Sequence, residues 1–473
     1  MKRFISRLLP FNINEKQVVF HNSKLKTQHS KLAVEGRVSI FFMLFLSILL
    51  AACTEKNISD QIVMEETQFD YEEEPAYAGN SEYAIAEQPF AGKIAIITAP
   101  SYQHTETYTS ARQVVEKYGK DKVIHRTWPD KYRDETEQVI SVVEKLGNDP
   151  NIKAIITSDV VPGMNAGFDT LRETRPDIFL ACYQLTSEYN IAQIANLILG
   201  EDMLGTGPAM VEQAQKMGAK TFVFYSIERL NYPVVFEIRK LIIKRCKELN
   251  LEFVEAIDLN EPSSIIHFDI GKYVQIYGKD TAFYCPVAMN DINEEVIKEG
   301  AILPQPLYPS PYWGFPSSLG IGFPDGKNFN EVDELLPLDY LISEAKRITT
   351  EKGISGRLSA WPMPGNMLNT VASAEYAIKW INGEVPKKGV DVEVLRQIME
   401  DYVGVKVYLT PYTDKYPYTA DVDTEVMEQI QARIFRGETY FPYTDEYPYP
   451  YTEKGDGETY DNFLLMRMDY ITF

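Results

Sequence analysis

Short clusters of polar and aromatic side chains follow several apolar runs in this chain, and its chemistry is concentrated there. Lys93-Ile-Ala-Ile-Ile-Thr-Ala-Pro100 leads into Ser101, Tyr102 and Gln103, and Ile152-Lys-Ala-Ile-Ile-Thr157 leads into Ser158 and Asp159. Asp177 to Tyr183 runs on to Gln184. Thr221-Phe-Val-Phe-Tyr225 is followed by Ser226 and Arg229, and Thr281 to Val287 by Asn290 and Asp291. Tyr312-Trp313-Gly-Phe-Pro316 and Trp361-Pro-Met-Pro-Gly365 add flat apolar faces. A few directed polar groups within aromatic walls are what a small-ligand pocket requires. The chemistry expected is reversible capture: Tyr102, Tyr225, Tyr312, Trp313 and Trp361 against a ring, with Asp159 and Gln184 bonding its hydroxyls or amides. A plainer reading stands beside it. Ser101, Asp159 and Asn290 also suit the caps of following helices, and Trp313 and Trp361 suit the packing of proline-rich loops.

Catalytic signatures do not appear. The sequence holds no GxSxG, HExxH, CxxC pair or GxxxxGK[ST], and Gly205-Thr-Gly207 lacks the third glycine of a dinucleotide fingerprint. His104, His125 and His267 are far apart and without metal-ligand spacing. The expectation is a binding protein, not an enzyme, with no cofactor and no metal.

The elements that must position these groups alternate. Strands are expected at 93–100, 122–128, 152–157 and 177–183, with helices to Tyr118, from Asp134 to Leu146 and from Met164 to Glu173. A long helical region, Asn190–Met217, is expected to break near Gly205-Thr-Gly207-Pro208. A second series follows, with strands at 221–225, 251–257, 281–287, 301–303 and 357–361. Its helices are expected at 234–249, 265–277, 292–299, 332–349 and 368–381. Alternation of this kind implies parallel sheets covered by helices on both faces. The predicted fold is α/β, two Rossmann-like lobes with a cleft between them. Lobe 1 is expected over about 91–190 and lobe 2 over about 220–350. In open α/β sheets ligands bind beyond the carboxyl ends of the strands, where the clusters lie.

Residues 386–473 are expected to form an extension with further helix, including Val422, Val426, Ile430 and Ile434, and a Tyr/Pro repeat. Thr410-Pro-Tyr-Thr-Asp-Lys-Tyr-Pro-Tyr-Thr419 is echoed by Phe441-Pro-Tyr-Thr-Asp-Glu-Tyr-Pro-Tyr-Pro450. Recurrent proline forbids continuous helix and favours extended chain.

At the other end, the uncharged run Val38–Ala52 is too short to cross a bilayer comfortably. It has the length of a signal-peptide core and ends in Leu50-Ala-Ala-Cys53, which resembles a bacterial lipoprotein signal with Cys53 lipidated. Residues 54–90 carry ten Asp/Glu against the single Lys56, the composition of a disordered tether. The expected address is the extracytoplasmic face of the cell membrane, held by lipid. The first 53 residues hold eight Lys/Arg and two Glu, so the remainder has a formal charge of −27. Such a surface repels phosphate backbones, which argues against a nucleic-acid partner. Cys182, Cys246 and Cys285 sit in apolar runs without disulfide spacing and read as buried small hydrophobes.

Several blocks in order resemble a domain-of-unknown-function family of bacterial lipoproteins, itself similar to type 1 periplasmic binding proteins. They are Lys117-Tyr-Gly-Lys-Asp-Lys-Val-Ile-His-Arg-Thr-Trp-Pro129, Arg172-Glu-Thr-Arg-Pro-Asp177, Met217-Gly-Ala-Lys-Thr-Phe-Val223, Tyr277-Gly-Lys-Asp-Thr-Ala-Phe283 and Pro309-Ser-Pro311. The resemblance spans about 90–385 and implies two lobes closing on a ligand at a hinge. It also implies an ABC-type permease or a membrane sensor as partner. Ser226-Ile-Glu-Arg-Leu230 and Pro286-Val-Ala-Met-Asn290 depart from the family's wording at strand ends of the second lobe. The implied alternatives are a different small polar ligand, or a scaffold lipoprotein whose site is degenerate and whose Tyr/Pro tail binds a partner.

Overall fold

The computed structural model describes residues 88–183, 191–226, 233–257, 269–285, 290–304, 319–321, 338–413 and 459–473. The signal segment, Cys53, residues 54–87 of the tether, Gln184, Arg229, Tyr312, Trp313 and the second repeat copy lie outside these residues, whereas Phe90, at the end of the expected tether, is buried in the lobe 1 core. Among the described residues no helix is long and apolar enough to cross a membrane.

Lobe 1 is built from β1 (Lys93–Thr98), α1 (Thr105–Tyr118), β2 (Val123–Thr127), α2 (Thr136–Gly147), β3 (Ile152–Thr157), α3 (Met164–Thr174), β4 (Phe179–Tyr183), α4 (Ile191–Ile194) and β5 (Leu197–Glu201). Near-continuous apolar runs give strands buried on both faces, as parallel sheets require. The chain then enters lobe 2 through α5 (Met203–Lys216), β6 (Thr221–Ser226), α6 (Pro233–Glu248), β7 (Glu252–Ile257), α7 (Ile270–Tyr277), β8 (Thr281–Tyr284), α8 (Asn290–Glu299), α9 (Leu338–Glu351) and β9 (Ser359–Ala360). It returns to lobe 1 with α10 (Gly365–Asn382), α11 (Val392–Val403), β10 (Val407–Thr413) and β11 (Thr459–Met468). It ends in β12 (Ile471–Thr472), paired with β9.

The lobe 1 sheet runs β10-β11-β5-β4-β3-β1-β2, parallel except for β10 against β11. Lobe 2 has the order β7-β6-β8, continued by parallel bridges Ala282–Ile302 and Leu303–Leu358. Side-chain alternation sorts lobe 1 into two cores. Ile94, Ile96, Ala154, Ile156, Phe179, Ala181, Leu197 and Leu199 face α1, α10 and α11. Ala95, Ile97, Ile155, Leu180, Cys182 and Ile198 face α2 and α3. Cys246 and Cys285 are likewise buried and take part in no disulfide among the described residues.

Two sequence readings change here. The helical region expected over Asn190–Met217, with a break near Gly205-Thr-Gly207-Pro208, is α4, then strand β5, then α5. Its start is fixed by Asp202, whose Oδ1 accepts from the Gly205 N–H at 2.8 Å. Pro208 therefore lies inside α5 and does not break it. The expected extension after residue 385 is, over 386–413 and 459–473, part of the body: α11 packs into the lobe 1 core, and β11 lies between β5 and β10.

Helices α1 and α10 are locked by one buried carboxylate. Glu375, 3 % exposed, accepts from Lys117 Nζ at 2.7 Å and from the Tyr118 hydroxyl at 2.8 Å. Replacing Glu375 with alanine removes both bonds and is expected to cost about 2–3 kcal/mol. Urea denaturation measures this, and a loss within error of zero would show that the pair contributes nothing net.

Candidate functional site

The three passages between lobes lie side by side. They follow Glu201, separate Ala360 from Trp361, and separate Tyr470 from Ile471. The Asp202 N–H donates to the Met466 carbonyl at 2.8 Å. Met466 is also paired in register with Glu201 across the β5–β11 ladder. Gly365 closes the bundle, because a Cβ there would lie 2.6 Å from Glu201 Oε1 and 3.0 Å from Met466 Cε. These passages join the carboxyl edges of the two sheets.

On lobe 1 the same alternation that fills the core makes its last row polar. Thr98, His125, Ser158, Tyr183 and Glu201 continue the apolar positions that face α1 and α10. Thr98 Oγ1 and His125 Nε2 are 2.9 Å apart, and the imidazole packs on Tyr108 with centroids at 4.8 Å. Burial lowers His125 to about 3, so it is neutral across the ordinary pH range. Ser158 Oγ and Thr370 Oγ1 are 3.0 Å apart. Beside Thr370, Asn369 is 1 % exposed, and neither its Nδ2 nor its Oδ1 has a hydrogen-bond partner. Glu201 is partly exposed as a residue, yet its carboxyl is enclosed, and burial pushes it up to about 7 against the opposing hydrogen bond from Tyr183.

Asp159 follows Ser158 at the carboxyl edge of β3. Its Oδ2 is buried without a hydrogen-bond partner. Burial raises its carboxyl to about 7, with Arg133 pulling down and Glu106 pushing up. Arg133 also acts on His104, which burial lowers first. The turn after β1 completes the edge. The Gln103 N–H donates to the Pro100 carbonyl, and Gln103 Nε2 reaches the Tyr102 hydroxyl at 3.2 Å and the Asp130 carbonyl at 2.9 Å. Thr105 Oγ1 donates to the Ser101 carbonyl at 3.0 Å. Tyr102 is half exposed, at 51 %.

The structure thus brings Ser101, Tyr102, Gln103 and Asp159 to one edge of lobe 1. It places two expected aromatic walls elsewhere. Trp361, 1 % exposed, belongs to the lobe 1 core. Tyr225, 3 % exposed, sits in the lobe 2 core, edge-on to Tyr273 and stacked on Phe283. Each falls on the inward phase of its segment. Asn290 begins α8. The sequence reading missed Glu201, Asn369, Thr370, His125 and Arg133. The signal for His125 and Glu201 was a polar residue ending an otherwise inward-facing row. Among the described residues no group of three His, Cys, Asp or Glu could hold a metal ion. The edge can hold a neutral or polar molecule by hydrogen bonds.

Comparison with known proteins agrees with this architecture. A family model described as "Protein of unknown function (DUF3798)" matches residues 92–359. An uncharacterized protein of Treponema pallidum is 33% identical over 150 residues, covering 30% of this chain and 69% of its own. The crystal structure of a candidate transcriptional regulator from Clostridium difficile 630 aligns with a TM-score of 0.63 at 18% identity, covering 82% of this chain and all of the other. A solute-binding protein of an ABC transporter from Bradyrhizobium sp. BTAi1, with bound bis-tris, aligns at a TM-score of 0.38 and 11% identity, over 67% and 87% of the two chains. The alignment with the Clostridium difficile structure shows a shared α/β fold.

Proposed function

We propose, for a chain that belongs to the DUF3798 family, a role as an extracytoplasmic solute-binding lipoprotein. It is anchored through Cys53 and closes two lobes on a small polar molecule of sugar or nucleoside type. Hinge closure at the three passages is the expected motion. An ABC-type permease or a membrane sensor would receive the result. The observation that carries this reading is the polar rim of lobe 1. Asp159 Oδ2 at that rim, and both amide atoms of Asn369 next to Thr370 on α10, are buried without hydrogen-bond partners. Burying such groups unmatched costs about 1–3 kcal/mol apiece, and a ligand's hydroxyls would match them.

A thermal-shift screen of sugars, nucleosides and amino acids tests the proposal. A cognate ligand at 100 times its dissociation constant adds about 2.7 kcal/mol of stability. Asp159→Leu should abolish that shift while leaving the unliganded protein at least as stable, since the carboxyl is costly to bury. No stabilisation by any compound at millimolar concentration would count against solute capture. An unchanged shift in Asp159→Leu would remove this residue from the site.

A further inference from the structure

A cavity lies at the opposite end of the lobe 1 strands from the rim. Its volume is about 1080 Å³, and it opens beside the first residues of β3, β5 and β11 and the last turn of α10. Strands of five or six residues separate it from the rim by roughly 17–20 Å. It is a distinct space.

Its charge runs against that of the molecule. The whole chain has a formal charge of −21, yet Lys153, Arg172, Lys387 and Lys388 line this cavity against Asp177 and Asp461. Asp177 is already matched, by Arg175 at 2.9 Å and Lys153 at 3.8 Å. Arg172 is fixed in the floor. Its Nε and Nη2 donate to the Ile194 carbonyl at 3.0 and 2.7 Å, and Nη2 also donates to Asn196 Oδ1 at 2.8 Å. Lys387 lies over the Trp380 ring, 3.5 Å from its centroid, and donates to the Trp380 carbonyl. Burial lowers the pKa of this ammonium. Trp380 is 8 % exposed, lines the cavity, and its Nε1–H has no hydrogen-bond partner. Ile194, Ile381 and Tyr460 supply apolar wall.

Two lysines and a fixed guanidinium meet one unmatched carboxylate here, beside a buried indole donor and an apolar side. We propose that this amino-edge cavity of lobe 1 is a second binding site, for a small organic anion with a planar apolar body. Lys387 and Lys388 would hold the anionic group, as charge-assisted donors do. The Trp380 N–H would add one directed hydrogen bond, and Ile194 and Ile381 would cover the flat part. A carboxylate and a phosphate ester share this chemistry.

Benzoate and phenyl phosphate serve as probes in titration calorimetry on the full chain. Binding of either is expected, and the stronger heat identifies which anion the site prefers. The double variant Lys387→Gln/Lys388→Gln should lose tenfold or more in affinity. Trp380→Phe, which keeps the ring's bulk, should lose about threefold. Asp159→Leu, at the rim, should bind the probes unchanged, which separates this site from the cleft. Thermal midpoints of the variants within a few degrees of the parent show that they are folded. Absence of heat with both probes, or equal binding by the folded double variant, overturns the proposal. Loss of probe binding in Asp159→Leu would move the anion to the rim and overturn it too.

Discussion

Gly163→Ala is expected to destabilise the protein by about 3 kcal/mol and to disturb the loop that carries Asp159. Two costs add at this position. Gly163, at the start of α3, has φ +92°, a conformation that costs an alanine about 1 kcal/mol or more. A Cβ there would also lie 2.7 Å from the Thr136 carbonyl oxygen and 2.9 Å from Thr136 Cγ2. That oxygen belongs to the first turn of α2 and cannot rotate away, so either α2 or the loop must shift, at a further cost of about 1–3 kcal/mol. Gly218 supplies the control. Its φ is also +92°, and a Cβ would meet nothing within 4 Å. Gly218→Ala should therefore show the backbone cost alone, about 1 kcal/mol. Urea midpoints of the two variants test the difference. Equal losses would mean that the α2 contact relaxes freely and does not hold the Asp159 loop.

The second large effect depends on pH. An unfolded glutamate loses its proton near 4.5, and folded Glu201 keeps it to about 7. Between those values the folded chain binds the extra proton. Stability from this residue therefore falls as pH rises through the window, and the full loss stands above about 7. Glutamine reproduces the neutral acid at every pH. Glu201→Gln should match the parent below pH 4.5 and exceed it by about 2 kcal/mol at pH 8, the shift being discounted for partial exposure. Denaturation at both pH values reads this directly. A gap that is the same at both would show that the carboxyl is ionised in the folded hinge. Asp159, also raised to about 7, contributes a slope of the same sign in parent and variant alike.

What could be read from the sequence follows from pattern length. β1, β3 and β4 stood out because short apolar runs bounded by turns alternate with periodic helices, and the strand-end rule then led to Ser101, Gln103 and Asp159. Leu197-Ile-Leu-Gly-Glu201 was absorbed into a helix because a run buried on both faces has no period of its own. Losing that strand hid Glu201. β11 escaped for the same reason, as Phe463, Leu464, Leu465 and Met466 are all buried, and because its partner lies far back in the chain. Asn369 sits in the body of α10, where an isolated amide looks like any helical surface residue until the packing is known. Trp361 and Tyr225 misled in the opposite way, since an aromatic residue after a strand has the same type whether it faces a ligand or a core.

The position of β11 also bears on how the molecule comes into being. Its neighbour β5 ends at Glu201, and β11 starts only at Thr459. A finished lobe 1 sheet therefore cannot form before residues 459–468 have been synthesised. Lobe 2 waits as well, for β12 and the buried Phe473. Pairings this distant make folding slow and leave apolar strand edges open meanwhile. Until residues 459–473 arrive, the lobe 1 sheet and the β9–β12 pair cannot be completed, and apolar strand edges stay open to chaperones.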